Sequence, residues 1–141
     1  MVLLALIGIV ALIALPASSH LWENAKLKAD TRQMAWVLRL ARQEAVSQGT
    51  PQAVYFYTEA GFYQYRDKIY QLSSGIRFVG ATTFKRQYST GPRTCIFSAS
   101  GAPAQAGTAV LGNRTGNKLY VIVNVVAGRV RISTNPPESW E

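Results

Sequence analysis

Residues 1–17 read MVLLALIGIVALIALPA, and no charged side chain occurs before Glu23. Apolar residues would lie on every side of a helix drawn through it, which favours a membrane helix over a core helix of a water-soluble domain. A cleaved secretory signal does not fit, because no Lys or Arg precedes the apolar run and Pro16 spoils the candidate cleavage site. We therefore predict that residues 1–22 are the transmembrane half of a helix, bent at Pro16 and with a close-packing or flexible point at Gly8.

Helical periodicity continues after Glu23 without a break, but the helix becomes amphipathic. Five apolar residues recur at helical spacing and form one stripe, whereas charged residues occupy the other faces. The stripe consists of Leu27, Met34, Leu38, Ala41 and Ala45. Gly49 and Pro51 end the helix. A single helix of this length would measure about 70 Å, more than twice the hydrocarbon core of a bilayer, so residues 23–48 are predicted to be a stalk that packs on the rest of the chain.

Beyond Pro51 the apolar pattern alternates, which predicts β-strands. Residues 52–58 and 62–66 flank a short turn with Gly61 and read as a hairpin. Further strands are predicted at 69–72, 76–79, 94–98, 108–112, 118–126 and 129–133. The predicted fold class is α+β: a long N-terminal helix, membrane anchor plus amphipathic stalk, packed on a mostly antiparallel β-domain at 50–133. Residues 134–141 are predicted to be an irregular tail.

The charge is distributed unevenly along the chain. The net charge is +8, and no carboxylate occurs between Asp67 and Glu138. That interval holds nine basic residues: Lys68, Arg77, Lys85, Arg86, Arg93, Arg114, Lys118, Arg129 and Arg131. The β-domain should therefore carry a positive field over much of its surface. Either an anionic partner or a merely solvated basic surface is consistent with this distribution.

Gly128-Arg129-Val130-Arg131 is the motif with most functional promise. Alternation along a strand puts Arg129 and Arg131 on one face, roughly 6.5–7 Å apart, a spacing similar to that of successive phosphates on a nucleic-acid strand. The alternative is that the two arginines only discourage edge-to-edge aggregation. The candidate DNA or anion contacts are Lys85, Arg86, Arg93, Arg114, Lys118, Arg129 and Arg131.

The sequence offers no recognisable catalytic site. His20 is the sole histidine and Cys95 the sole cysteine, too few for an ordinary zinc site. Paired carboxylates are missing from the basic interval, and residues 112–116 lack the helix and lysine of a phosphate-binding loop. Cys95 lies in an apolar run and is predicted to be a small buried hydrophobe. We predict a protein that is not an enzyme and uses no cofactor or metal.

Several segments resemble one family. The apolar start with Gly8 and Pro16 looks like the N-terminal helix of type IV pilins and pseudopilins. The stalk sequence LRLARQEA at 38–45, followed by Gly49 and a strand, is similar to the GspH/FimT-type minor pseudopilins. So is the C-terminal half, with its long strand from Leu119 and the GRVR ending at 128–131.

The resemblance implies a subunit without catalysis. Members wait in the bacterial inner membrane as single-pass proteins, with the C-terminal domain periplasmic or extracellular, and then enter a helical filament of pilins or pseudopilins. The helix residues that would face lipid or neighbouring helices are Met1, Leu4, Gly8, Leu12 and Pro16. Aligning Gly8 and Pro16 with the family suggests that about six mature residues and a basic leader precede Met1 in the natural precursor. By the positive-inside rule, Lys26, Lys28 and Arg32 alone would place the C-terminal domain in the cytoplasm. A basic leader would supply positive charge at the other end of the membrane helix and so remove this conflict.

Three functions stay open at this point. The first is assembly alone, in a type II secretion pseudopilus or a type IV pilus. The second is a FimT-like minor pilin whose basic β-domain binds DNA for uptake. The third is an unrelated single-pass protein with a carbohydrate- or protein-binding β-domain.

Overall fold

The part of the chain that the structure describes contains one helix and eight short strands. The computed structural model describes residues 2–126 and 128–138, and it leaves the side chains of residues 2–6 and 10–18 undescribed. The helix α1 is continuous over Val2–Gln48, as the sequence predicts. The strands are β1 Gln52–Tyr57, β2 Phe62–Tyr65, β3 Lys68–Gln71, β4 Arg77–Phe78, β5 Arg93–Phe97, β6 Gly107–Gly112, β7 Lys118–Val123 and β8 Val130–Ser133.

The strands form two four-stranded sheets. Sheet A has the order β3-β2-β1-β5, and sheet B has the order β4-β6-β7-β8. Every neighbouring pair in both sheets is antiparallel. The predicted α+β class with an antiparallel domain is therefore confirmed, and the predicted hairpin is β1–β2. The division into two sheets was not predicted.

The predicted strand at 118–126 is too long. β7 ends at Val123, and the Val126 N–H donates to Asn124 Oδ1 at 2.9 Å. The asparagine side chain thus takes a backbone donor that a continuing strand would need, and it starts a turn although Val125 and Val126 are apolar. The last strand is correspondingly shorter than predicted, because β8 begins at Val130 and leaves Arg129 just before it.

The apolar stripe of the stalk is buried as predicted: Leu27 is 3% exposed, and Met34, Leu38, Ala41 and Ala45 are 0% exposed. Polar side chains also fasten the stalk to loops of the β-domain. Asn24 Oδ1 accepts from the side-chain amides of Asn113 at 2.9 Å and Asn117 at 2.6 Å, in the β6–β7 turn. The buried Asp30 accepts from the Ser73 N–H at 2.7 Å and the Ser73 hydroxyl at 2.8 Å, in the β3–β4 loop. The helix is therefore fixed at several points along the stalk.

Aromatic rings fill the space between the sheets. The ring of Phe56 on β1 stacks on Phe84 at a centroid distance of 5.1 Å and meets Phe78 on β4 edge-on at 6.4 Å. Phe84 lies in the irregular segment between β4 and β5 and is fully buried. A β-carbon at Gly107 would overlap its ring, so only glycine lets β6 approach Phe84 this closely. This irregular segment therefore supplies a ring that joins both sheets.

The end of the stalk carries a polar cluster of three side chains. The Tyr65 hydroxyl donates to the Glu44 carboxylate, which also accepts Arg66 Nη2 at 2.8 Å. Burial, followed by the hydrogen bond and the charge of Glu44, raises the pKa of Tyr65 to about 12. The folded chain therefore holds this phenol in its protonated form.

Replacing Tyr65 by phenylalanine should make the free energy of unfolding fall less steeply as the pH rises above about 10. Because folding raises the pKa of Tyr65 from 10.0 to about 12, the protonated phenol stabilises the folded state fully below pH 10.0. This stabilisation is lost as the pH rises towards about 12. Urea unfolding of the full chain in non-ionic detergent, repeated across that pH range, measures the slope. Tyr88→Phe, on an exposed tyrosine, is the control and should behave as wild type. Equal slopes for Tyr65→Phe and wild type would contradict the assignment.

Candidate functional site

The seven basic residues singled out from the sequence fall into three separate places. Lys85, Arg86 and Arg93 lie just before and at the start of β5. Arg114 lies on the β6–β7 turn and Lys118 begins β7, next to the Asn24 end of the stalk. Arg129 and Arg131 lie on either side of the first residue of β8. The fold thus brings these residues together in groups, and each group has its own surroundings.

Arg129 and Arg131 flank a buried residue. Val130 is 5% exposed, whereas both arginines are exposed. The pattern agrees with the predicted alternation, so both guanidinium groups are available on the surface.

Gly128 fixes where this pair starts. It has a positive φ of 57°, which L side chains rarely adopt. A β-carbon there would overlap the carbonyl oxygen of Gly101 and lie 2.9 Å from Arg42 Nε. Glycine is therefore required for the chain to pass this close to the stalk before turning into β8.

Two stalk arginines that sequence reasoning did not single out lie at the same place. Arg39 Nη2 donates to the Val130 carbonyl at 3.0 Å. Arg42 Nε donates to the Gly101 carbonyl at 3.2 Å, beside Gly128. Both side chains are otherwise exposed. Their spacing of three residues puts them on one side of the helix, which is the signal that could have grouped them, although their approach to β8 depends on the tertiary fold. The positive charge near Gly128 therefore comes both from the stalk helix and from the residues at the start of β8.

The Arg114 side chain lies close to a carboxylate. A β-carbon at Gly75 would lie 3.2 Å from Arg114 Nε and 2.9 Å from Glu23 Oε2. Glu23 also pairs with Lys26 at 3.7 Å. The positive charge of this turn is thus partly offset by the first acidic residue of the stalk.

Arg86 and Arg93 face each other across an antiparallel bridge. They line a cavity of about 330 Å³ together with Glu59 and Pro92. Arg93 Nη1 donates to the Phe84 carbonyl at 2.8 Å. This hydrogen bond fixes the orientation of the Arg93 guanidinium. Arg86 is the more exposed of the two. Two cations and one anion therefore surround this cavity.

The predicted membrane half falls largely outside the described side chains. Met1 lies outside the described residues, and the side chains of Leu4, Leu12 and Pro16 are likewise not described. Gly8 is exposed, with no atom within 4 Å of an added β-carbon. Over the part of the chain that is described, no helix is sufficiently long and apolar to cross a bilayer. The predicted bend at Pro16 stays a prediction.

Residues 2–126 and 128–138 contain no group of His, Cys, Asp or Glu side chains that could hold a metal ion. Cys95 is buried, as predicted, and burial raises the pKa of its thiol to about 12. A thiol held protonated in this way is a poor nucleophile.

The sequence matches the family described as type II transport protein GspH over residues 30–128. The structure resembles the type IV minor pilin FimU of Pseudomonas aeruginosa with a TM-score of 0.61 and 14% sequence identity, covering 83% of this chain and 96% of that one. It also resembles the minor pseudopilin EpsH from the type 2 secretion system of Vibrio cholerae, with a TM-score of 0.61 and 12% identity, covering 77% and 96%. No protein of curated function matches in sequence. Since the GspH match spans most of the stalk and most of the β-domain, the chain belongs to the GspH family, and it has a pilin-like fold.

Proposed function

We propose that this chain is a filament subunit that joins a pseudopilus or pilus through its N-terminal helix. The observation that carries the proposal is the single helix Val2–Gln48, whose uncharged first part continues directly into a stalk fastened to the β-domain by Asn24 and Asp30. A rigid connection of this kind transmits the position of the apolar half to the β-domain. FimU and EpsH, named as a minor pilin and a minor pseudopilin, support the same function.

The proposal includes a location. Before assembly the apolar half lies in the inner membrane, and the β-domain lies on the side away from the cytoplasm. On leaving lipid, the helix must recover its apolar burial, at about 25 cal/mol per Å², by packing against neighbouring helices in the filament.

Replacing Leu12 by arginine tests this function. A central charge costs about 3 kcal/mol for insertion into lipid, and it would be unpaired among apolar helices. We expect the variant to be lost from both the membrane fraction and the sheared filament fraction of cells. Gln33→Arg, at an exposed stalk position, is the matched control and should be retained in both. Normal recovery of Leu12→Arg in filaments would contradict assembly through this helix.

A second function is DNA capture by the β-domain, as in a FimT-like minor pilin. We propose it because Arg129 and Arg131 are both exposed on either side of the buried Val130, with Arg39 and Arg42 of the stalk close by. The stretch between Asp67 and Glu138 also lacks any carboxylate. Binding would depend on phosphates more than on sequence.

The salt dependence of duplex binding tests DNA capture. With about four phosphate contacts, the log–log slope of affinity against salt should be near −3.6, about 0.9 per contact. The double variant Arg129→Ala/Arg131→Ala should make that slope shallower by about 2. Lys68→Ala/Arg77→Ala removes the same charge at other exposed positions and should leave the slope nearly unchanged. If duplex DNA did not bind at low salt, or if the double variant kept the wild-type salt slope, DNA capture would be contradicted and assembly would remain as the function.

A further inference from the structure

The outer face of sheet A, on the side away from the helix, carries a cleft lined by tyrosines. In β1, Val54 and Phe56 point into the core, and Tyr55 and Tyr57 are only half-buried on the opposite face. Tyr88, in the segment between β4 and β5, lies beside this face and is 71% exposed. Between that segment and the sheet lies a cavity of about 330 Å³, which we call the tyrosine cleft.

The polar groups of the tyrosine cleft are uncharged. Gln64 on β2 and Gln87 beside Tyr88 contribute side-chain amides, and the tyrosines contribute hydroxyls. Amides can both donate and accept hydrogen bonds, and tyrosine rings offer flat apolar faces with a polar end. The cleft therefore suits a flat ligand group that has hydrogen-bonding edges.

The cavity with the two arginines adjoins this cleft. Tyr57 and Pro92 line both cavities, so the two share a wall. We call the second one the arginine pocket, after Arg86 and Arg93. Glu59 also lines it, which leaves one net positive charge. A ligand that spans both cavities would thus place a flat group beside an anionic group.

We infer that these two cavities together form a binding site for single-stranded nucleic acid, with a base in the tyrosine cleft and a phosphate in the arginine pocket. A nucleotide joins a flat base to a phosphate through one sugar, which matches two cavities that share a wall. Aromatic platforms stack every base, because each base has a π-face, and an adjoining positive groove follows the backbone. The net charge of +8 favours such a ligand over a neutral one.

Two other ligands fit less well. A neutral polysaccharide could stack on the tyrosines, but it would bring no anion to the net positive charge that Arg86 and Arg93 leave in the arginine pocket. Duplex DNA keeps its base faces stacked inside the helix, so it offers the tyrosine cleft no base face to stack on. The site lies on sheet A, whereas Arg129 and Arg131 lie at β8 of sheet B, so the inference is independent of the proposed duplex contact.

Fluorescence anisotropy with the full chain in non-ionic detergent tests the inference. The probes are a short oligothymidylate and an abasic oligonucleotide of the same length and charge. Stacking contributes enough that oligothymidylate should bind about tenfold more tightly than the abasic probe. Tyr88→Ala should weaken oligothymidylate binding by about tenfold and leave abasic binding unchanged. Trp36→Ala removes another exposed aromatic side chain, on the stalk, and should retain the preference.

Two further variants separate this site from the one at β8. Arg86→Gln should make the salt slope for oligothymidylate shallower by about 0.7, the value for one phosphate of a single strand. Arg129→Ala/Arg131→Ala should keep the preference for oligothymidylate over the abasic probe. Equal binding of the two probes would overturn the inference, as would a wild-type preference in Tyr88→Ala. Binding of a neutral oligosaccharide in place of oligothymidylate, abolished by Tyr88→Ala, would assign the cleft to sugars and also overturn it.

Discussion

Replacing Phe84 by alanine should lower the free energy of unfolding by about 4 kcal/mol. The ring is fully buried, stacks on Phe56 and lies directly against Gly107. Its removal leaves a cavity between sheet A and sheet B, next to Phe56 on β1 and Gly107 on β6. Urea unfolding of the full chain in non-ionic detergent, followed by near-ultraviolet circular dichroism, measures the change.

The control for Phe84 is Tyr88→Ala in the same segment. Tyr88 is exposed, so its loss should change the free energy of unfolding by less than about 0.5 kcal/mol. If Phe84→Ala were as harmless as Tyr88→Ala, the segment between β4 and β5 would not be part of the core.

Replacing Asp30 by alanine should cost about 3 kcal/mol of unfolding free energy, the second-largest effect that we expect. The carboxylate is 6% exposed and accepts two hydrogen bonds from Ser73. Without it, the Ser73 N–H and hydroxyl lose their partner in a half-buried site, and an unpaired donor there carries its full desolvation cost. Hydrogen bonds that involve a charged group are also the stronger kind.

Two substitutions calibrate the Asp30 result. Asp30→Asn keeps one oxygen acceptor and should recover about half of the loss. Asp67→Ala removes an exposed carboxylate and should be close to neutral. Equal stability of Asp30→Ala and Asp67→Ala would show that the β3–β4 loop does not depend on the stalk.

The local architecture could be predicted from the sequence because it depends on periodicity. The stalk stripe repeats at helical spacing, and each of its five members is buried in the structure. The hairpin of β1 and β2 follows from alternation around Gly61. The resemblance to GspH/FimT-type pseudopilins is confirmed by the family match over residues 30–128.

What could not be predicted depends on contacts between distant residues. Which strands join which sheet depends on pairings between distant strands, such as β1 with β5. No local sequence pattern specifies these pairings. Phe84 lies in a segment that has no strand or helix period, so nothing in its neighbourhood marks it as core. Arg39 and Arg86 resemble any other surface arginine until β8 and Arg93 come close to them. The candidate site therefore required the structure, although most of its residues were already suspected.

Assembly through the N-terminal helix is tested most directly by the environment of Leu12 in an assembled filament. A photo-crosslinking amino acid at position 12, in the protein expressed from its own gene in cells that assemble filaments, reports which molecules touch the apolar half. We expect crosslinks to the N-terminal helices of other pilin-like subunits, and none to those helices from the same probe at Lys85 on the β-domain. Crosslinks from position 12 to lipid alone, in cells whose filaments contain this protein, would contradict assembly through the N-terminal helix.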